Sequence, residues 1–186
     1  MSEPATSKSP DRCYGILALR YDPSLPLTPK PKLSSKNTKL LLIHQNRKHA
    51  PTYWTIPKGH PKPEVDLDTL DTAIRELWEE TKITISVSDI VTFPIGHPSP
   101  GEMNSHSTVE VYRTPGRYVG EEGKEVRYWV AVVGPEVEKD MEAQKGEVEK
   151  WKWCGWDEGM GLITYDEGRE VLGRVRRAID GDGLLK

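Results

Sequence analysis

Cysteine is scarce in this 186-residue chain: Cys13 and Cys154 are the only two, far apart in sequence. That count excludes a disulfide framework and a cysteine-rich metal module, and two reduced, buried thiols in an intracellular protein are expected. A large excess of either charge is also lacking. The formal net charge of −3 speaks against a general nucleic-acid or membrane binder. The segment from Met1 to Asp11 has no apolar run, so neither a secretory signal nor a membrane anchor is expected there. Phenylalanine is nearly absent, with one Phe against six Trp and seven Tyr. The aromatic surface is therefore supplied by rings that carry a polar handle, suited to surfaces and binding sites.

What is present has the size and order of one α/β unit. The chain is long enough to bury a substantial core. Strands are expected at Cys13 to Tyr21, Lys39 to Gln45, Ile83 to Val87, Ile90 to Phe93, Thr108 to Tyr112, Val126 to Val133 and Trp151 to Trp156. The run Leu40-Leu41-Leu42-Ile43 is typical of a strand covered on both faces. A Pro-, Ser- and Lys-rich stretch from Asp22 to Asn37 reads as a long hairpin connection rather than a domain linker. A final helix is expected from Asp166 to Ile179, with Val171, Leu172, Val175 and Ile179 facing inward. The expected organisation is a tail at 1–11, one domain at 12–180 and a second tail at 181–186.

The most informative stretch is Arg75-Glu76-Leu77-Trp78-Glu79-Glu80. On a helix whose inward stripe is Leu70, Ala73, Ile74, Leu77 and Thr81, the three glutamates share a neighbouring stripe. Like charges so placed repel unless a cation lies between them, and hard cations such as Mg²⁺ accept carboxylate oxygens and bring phosphate with them. A solvated acidic face is the plain alternative. Upstream, Trp54 to His60 reads as a strand breaking into a glycine loop, and Asp66 or Asp68 is placed to cap the helix, with Asp71 in its first turn.

Strand, loop and acidic helix together resemble the Nudix hydrolase signature, G-x5-E-x7-R-E-U-x-E-E-x-G-U, with U a bulky aliphatic residue. Gly59, Arg75, Glu76, Leu77, Glu79, Glu80 and Ile83 match it. Between Gly59 and Arg75 the chain is two residues longer than the pattern. The first signature glutamate then falls at Leu67, so Asp66, Asp68 or Glu64 must take over its supporting ion pair. The late glycine is Lys82, a position that serves helix-end geometry rather than chemistry. The resemblance implies an α/β/α sandwich around a mixed sheet and a Mg²⁺-dependent hydrolase of phosphoanhydride bonds, with Mn²⁺ as a possible substitute.

Within that family, Trp54 to His60, Tyr128 to Ala131 and Trp151 to Gly155 look like the asymmetric diadenosine tetraphosphate hydrolases. The resemblance implies metal ligation by Gly59, Glu76, Glu79, Glu80 and Glu147, with Arg75 orienting the glutamates and Glu147 as a further ligand or general base. It implies phosphate contacts from Lys58 and Lys124, the latter four residues before Tyr128, and a base sandwich by Tyr118 and Trp151. His60 adjoins the loop glycine and could touch phosphate. For Trp151 the competing reading is ordinary core, since Trp153 shares its face. His44, His49, His60 and His97 show no metal-ligand spacing.

The favoured reaction is diadenosine tetraphosphate to ATP and AMP, by a monomer in the cytoplasm or also the nucleus, with a small polyphosphate as partner and neither nucleic acid nor membrane. A diphosphoinositol polyphosphate hydrolase is the alternative, supported by the basic cluster Arg47, Lys48, His49, Lys58, His60 and Lys62. A non-catalytic nucleotide-binding module is the third reading, and the intact glutamates oppose it. The insertion from His97 to Gly116 is left to shape the substrate mouth.

Overall fold

The computed structural model describes residues 11–26, 31–47, 50–91, 107–112 (backbone alone at 109–112) and 123–181. Strands β1 (Asp11–Tyr21), β2 (Thr38–Arg47), β3 (Ala50–Thr55), β4 (Lys58–Gly59), β5 (Ser107–Tyr112), β6 (Lys124–Val132) and β7 (Val148–Cys154) form one mixed sheet. Helices are α1 (Thr69–Thr81), α2 (Trp156–Leu162) and α3 (Asp166–Asp180). The order through the sheet is β3-β2-β1-β6-β5; β4 adds to β1, and β7 to β2.

Side-chain alternation on the strands makes two cores. Leu17, Leu19, Leu40, Leu42, Val126, Tyr128 and Val130 face α2 and α3, where Trp156, Val171, Leu172, Val175 and Ile179 meet them. Ile16, Ala18, Leu41, Ala131 and Trp153 face the other way, onto Ala73 and Leu77 of α1. The result is an α/β/α sandwich, and Leu40 to Ile43 is fully buried as a doubly covered strand should be.

Strands β1 and β2 pair only between Leu19 to Tyr21 and Thr38 to Leu40. Beyond that they part, and each takes a new neighbour: β4 joins β1 through Tyr14 and Gly15, while β3 joins β2 from Ile43 onward. A cleft opens where the two strands separate.

Three expectations are corrected. Ile83 to Val87 is not a strand: Ile83 and Ile85 are buried in alternation with exposed Thr84 and Ser86, but the backbone finds no ladder. Instead Ser86 and Asp89 exchange capping hydrogen bonds that turn the chain into a 3₁₀ turn at Val87–Asp89. The segment from Ile90 makes one bridge, to Ala131, rather than a strand, and its end at Phe93 lies outside the described residues. Strand β7 stops at Cys154, and Trp156 opens α2, a seven-residue helix that Gly159 and Gly161 hide from propensity reasoning.

Candidate active site

Helix α1 is built to project its glutamates. Asp68 caps it, accepting from the Leu70 and Asp71 backbone N–H groups at 2.8 and 2.9 Å. At the other end Lys82 adopts the left-handed conformation (φ 62°) and its N–H returns to the Trp78 carbonyl. A lysine thus holds the helix-end geometry for which the signature keeps glycine. Its ammonium lies 4.0 Å from the Trp78 ring centroid, a cation–π contact.

The longer loop solves its missing glutamate locally. Asp66 receives two parallel hydrogen bonds from Arg75, at 2.7 and 2.8 Å, and two more from the Thr72 hydroxyl and the Lys62 backbone. Those donors hold the Asp66 carboxyl far below the usual range, Arg75 first among them. Leu67, where counting places the signature glutamate, is 94% exposed. Arg75 also donates to the His60 carbonyl and to Glu76, and lies 3.2 Å from Glu79. Its guanidinium therefore ties the loop to the acidic helix.

The three glutamates meet different environments. Glu80 is fully buried, accepts from the Lys58 backbone N–H at 2.9 Å and the Gln45 amide at 3.2 Å, and burial pushes its pKa up to about 8. Glu76 is also raised by burial, against the pull of Arg75. Burial acts on Glu79 in the same sense, but Lys62 (2.8 Å) and Arg75 outweigh it and its pKa is lowered. A Cβ at Gly59 would sit 2.2 Å from the Glu76 carboxylate, so any larger residue there would displace that side chain from its present position.

These residues line one cleft of about 340 Å³, together with Cys13, Gln45, Tyr53, Lys58, His60, Lys124, Gln144 and Glu147. The structure thus gathers Lys58, Gly59, His60, Glu76, Glu79, Glu80, Lys124 and Glu147, with Arg75 bracing them from behind. Trp151 does not line the cleft; it pairs with Ile43 and packs against the α1-side core beside Trp153. Tyr118, His49, His97 and Lys48 lie outside the described residues, as does the 97–116 insertion except for 107–112, which supplies β5.

Several residues in the cleft or packed beside it escape sequence reasoning. Gln45 accepts from the Tyr53 hydroxyl (2.5 Å) and the Lys58 ammonium (3.2 Å) while donating to Glu80. Beyond Tyr53, Tyr165 packs edge-on at 5.5 Å, and the Arg47 guanidinium covers Tyr53 at 4.1 Å and Tyr165 at 5.6 Å. Tyr165 was reachable only as the aromatic residue just before α3, which is a weak signal without the fold.

The donor set fits a hard divalent cation. All its side-chain ligands are carboxylate oxygens, and burial pushes two of the three helix glutamates up even with Arg75 and Lys58 beside them, so a cation between them would favour their charged forms. Carboxylates that attract hard cations and ammonium groups that attract phosphate, facing one cleft, define a protein that handles phosphorylated ligands. The chain belongs to the Nudix family: the NUDIX domain model matches residues 33–172. It is a hydrolase acting on phosphoanhydride bonds, in a family that generally uses divalent metals. It is 29% identical over 150 residues to the asymmetrical bis(5′-nucleosyl)-tetraphosphatase of Caenorhabditis elegans, covering 81% of this chain and 91% of that protein. A solved binary complex of C. elegans Ap4A hydrolase superposes with a TM-score of 0.63 at 23% identity, covering 92% of this chain and 98% of that one. The NUDIX domain of Shewanella oneidensis NrtR, solved with ADP ribose, gives 0.63 at 13% identity, covering 95% and 92%. These two structures bear on fold alone. No described helix is long and apolar enough to cross a membrane.

Proposed function

We propose that this Nudix hydrolase cleaves dinucleoside polyphosphates, with diadenosine tetraphosphate giving ATP and AMP as the favoured reaction, in a single domain over residues 12–180. The observation that carries the reading is the single cleft in which Glu76, Glu79 and Glu80 face Lys58 and Lys124. The C. elegans tetraphosphatase similarity favours the dinucleotide among possible substrates.

In this reading Mg²⁺, or Mn²⁺ in its place, is held by Glu76, Glu79, Glu80, Glu147 and the Gly59 carbonyl, and supplies charge neutralisation to the phosphate chain and activation of the attacking water. Lys58 and Lys124 contact phosphate as point charges, with His60 beside them. Arg75 positions Glu76 and Glu79 and favours their charged forms, while Asp66 holds Arg75. Glu147, exposed and lining the cleft, serves in this reading as the further ligand or as the base that takes the proton of the attacking water. Pockets that enclose a whole small ligand run from about 300 to 1,000 Å³. A cleft at the low end of that range suits the phosphate chain, leaving the nucleosides to the aromatic rim. Tyr165 and Tyr53 supply a ring wall there, and we assign base stacking to Tyr165 ahead of Trp151, with Tyr118 as a further candidate.

The test is a panel of diadenosine polyphosphates, capped nucleotides, nucleoside triphosphates and diphosphoinositols with Mg²⁺, with products resolved by chromatography. Diadenosine tetraphosphate should be preferred and give ATP plus AMP, with ¹⁸O from labelled water in AMP. Two ADP, or label confined to ATP, overturns the bond assignment. Preference for a diphosphoinositol, with turnover abolished by Arg47→Ala, overturns the substrate.

A further inference from the structure

At the outer end of the cleft three unlike ligand groups converge. Asp11 and Cys13 are two residues apart on β1, so they share a face. Cys13 and His60 each lie one residue beyond the Tyr14–Gly59 pair of the antiparallel β1–β4 ladder, which brings them close together. The candidate ligand atoms of Asp11, Cys13 and His60 all lie within 4.8 Å of one another, and His60 Nε2 is 2.8 Å from Asp11 Oδ1. Two ligands at i and i+2 with a third across the strand pair is a placement that only the sheet creates, since the sequence separates His60 from Cys13 by most of β1, β2 and β3.

We propose that Asp11, Cys13 and His60 form a binding site for a borderline-soft divalent cation, Zn²⁺ above all, separate from the glutamate cluster on α1, and that its occupation inhibits the enzyme. An imidazole nitrogen, a thiolate and a carboxylate are the ligand types zinc takes in tetrahedral sites, at about 2.0 Å to nitrogen and 2.3 Å to sulfur, while Mg²⁺ prefers oxygen alone. Side-chain rotation of exposed Asp11 and His60 toward buried Cys13 closes the remaining distance. The thiol enters as thiolate, its proton passing to solvent. Three protein ligands leave a fourth position for water or a phosphate oxygen.

The neighbouring charge explains the inhibition. Lys124, on the neighbouring strand β6, stands opposite Asp11, its ammonium 3.6 Å from Asp11 Oδ2 and against Cys13. A dication at this site takes over the ammonium's partners and repels it from the cleft that Cys13, His60 and Lys124 line together. Only the effect on turnover rests on the proposed function; the binding does not.

The test uses Co²⁺ as a spectroscopic stand-in for zinc, added to the full chain in excess Mg²⁺ so that oxygen-only sites are filled. A thiolate-to-cobalt charge-transfer band should saturate at one equivalent, vanish in Cys13→Ser, persist in Cys154→Ser and bleach when Zn²⁺ is added. Asp11→Asn, at an exposed position, should keep the band but weaken cobalt binding at least tenfold, no less than the loss of a group that merely orients a ligand. Zinc should then inhibit Mg²⁺-supported turnover of the wild type at least tenfold more strongly than that of Cys13→Ser. No band in the wild type, or a band that survives Cys13→Ser, overturns the site and leaves the hydrolase reading intact. A normal band with equal zinc inhibition of both proteins overturns its link to activity.

Discussion

Arg75 grips Asp66 through two parallel hydrogen bonds, Nε to Oδ1 at 2.7 Å and a terminal nitrogen to Oδ2 at 2.8 Å. Both side chains are largely buried, so the pair acts as a clamp between the lengthened loop and the acidic helix. Asp66→Ala leaves the guanidinium without its main partner and should cost about 3 kcal/mol in urea unfolding. It should also lower kcat at least tenfold, because Arg75 then no longer holds Glu76. Leu67→Glu, in the place where the signature expects its glutamate, should not rescue it; full rescue would show that the loop can reorganise freely.

Glu79→Gln and Glu80→Gln remove charge while keeping shape. Each should lower kcat by two or more orders of magnitude at saturating Mg²⁺, with the fold intact by circular dichroism. Near-normal turnover in both would remove the acidic helix from the chemistry.

The raised Glu80 pKa makes a signed prediction. In the folded, metal-free protein Glu80 holds its proton to about pH 8, against 4.5 when exposed, so the folded state binds the extra proton between those values. Stability from this group is fully present below 4.5 and is lost as pH rises toward 8. Denaturant titrations without metal should show that fall, and Glu80→Gln should flatten it. Mg²⁺ must displace the same proton, so calorimetry near pH 7 in buffers of different ionisation enthalpy should register proton release in the wild type and less in Glu80→Gln. Identical release by both proteins would assign the proton elsewhere.

Base stacking is worth about 1 to 3 kcal/mol per ring. Tyr165→Ala should therefore raise KM for diadenosine tetraphosphate by about fivefold or more with a smaller change in kcat. Trp151→Ala, packed against the core, should chiefly lower stability. If the two variants exchange these phenotypes, the ring wall at Tyr53 and Tyr165 is not the base site.

Lys82 carries the strain of a left-handed non-glycine residue, roughly 1 kcal/mol. Lys82→Gly relieves it and loses the contact with Trp78 and some unfolded-state advantage. A net gain of a few tenths to about 1 kcal/mol should appear as a higher Tm with turnover unchanged, and a clear loss would show that the cation–π contact dominates.

The sequence by itself determined the helix of Glu76, Glu79 and Glu80, a cap at one of Asp66 and Asp68, the doubly covered strand at Leu40 to Ile43 and the inner face of α3. Each is a local matter of periodicity or of a side chain meeting backbone a few residues away. Local pattern failed where pairing decides: Ile83 and Ile85 alternate as a strand would, yet no neighbouring strand offers them hydrogen bonds. It also could not choose among Glu64, Asp66 and Asp68 as the partner of Arg75, because the turn at 63–65 sets which carboxylate points back. Only the tertiary structure moved Trp151 onto the core, brought Gln45 and Tyr53 to the cleft, set Tyr165 against Tyr53 and brought Cys13 close to His60. Those relationships depend on β1 and β2 parting after three paired residues, and the pairing of distant strands is a property of the whole sheet that no short window of residues encodes.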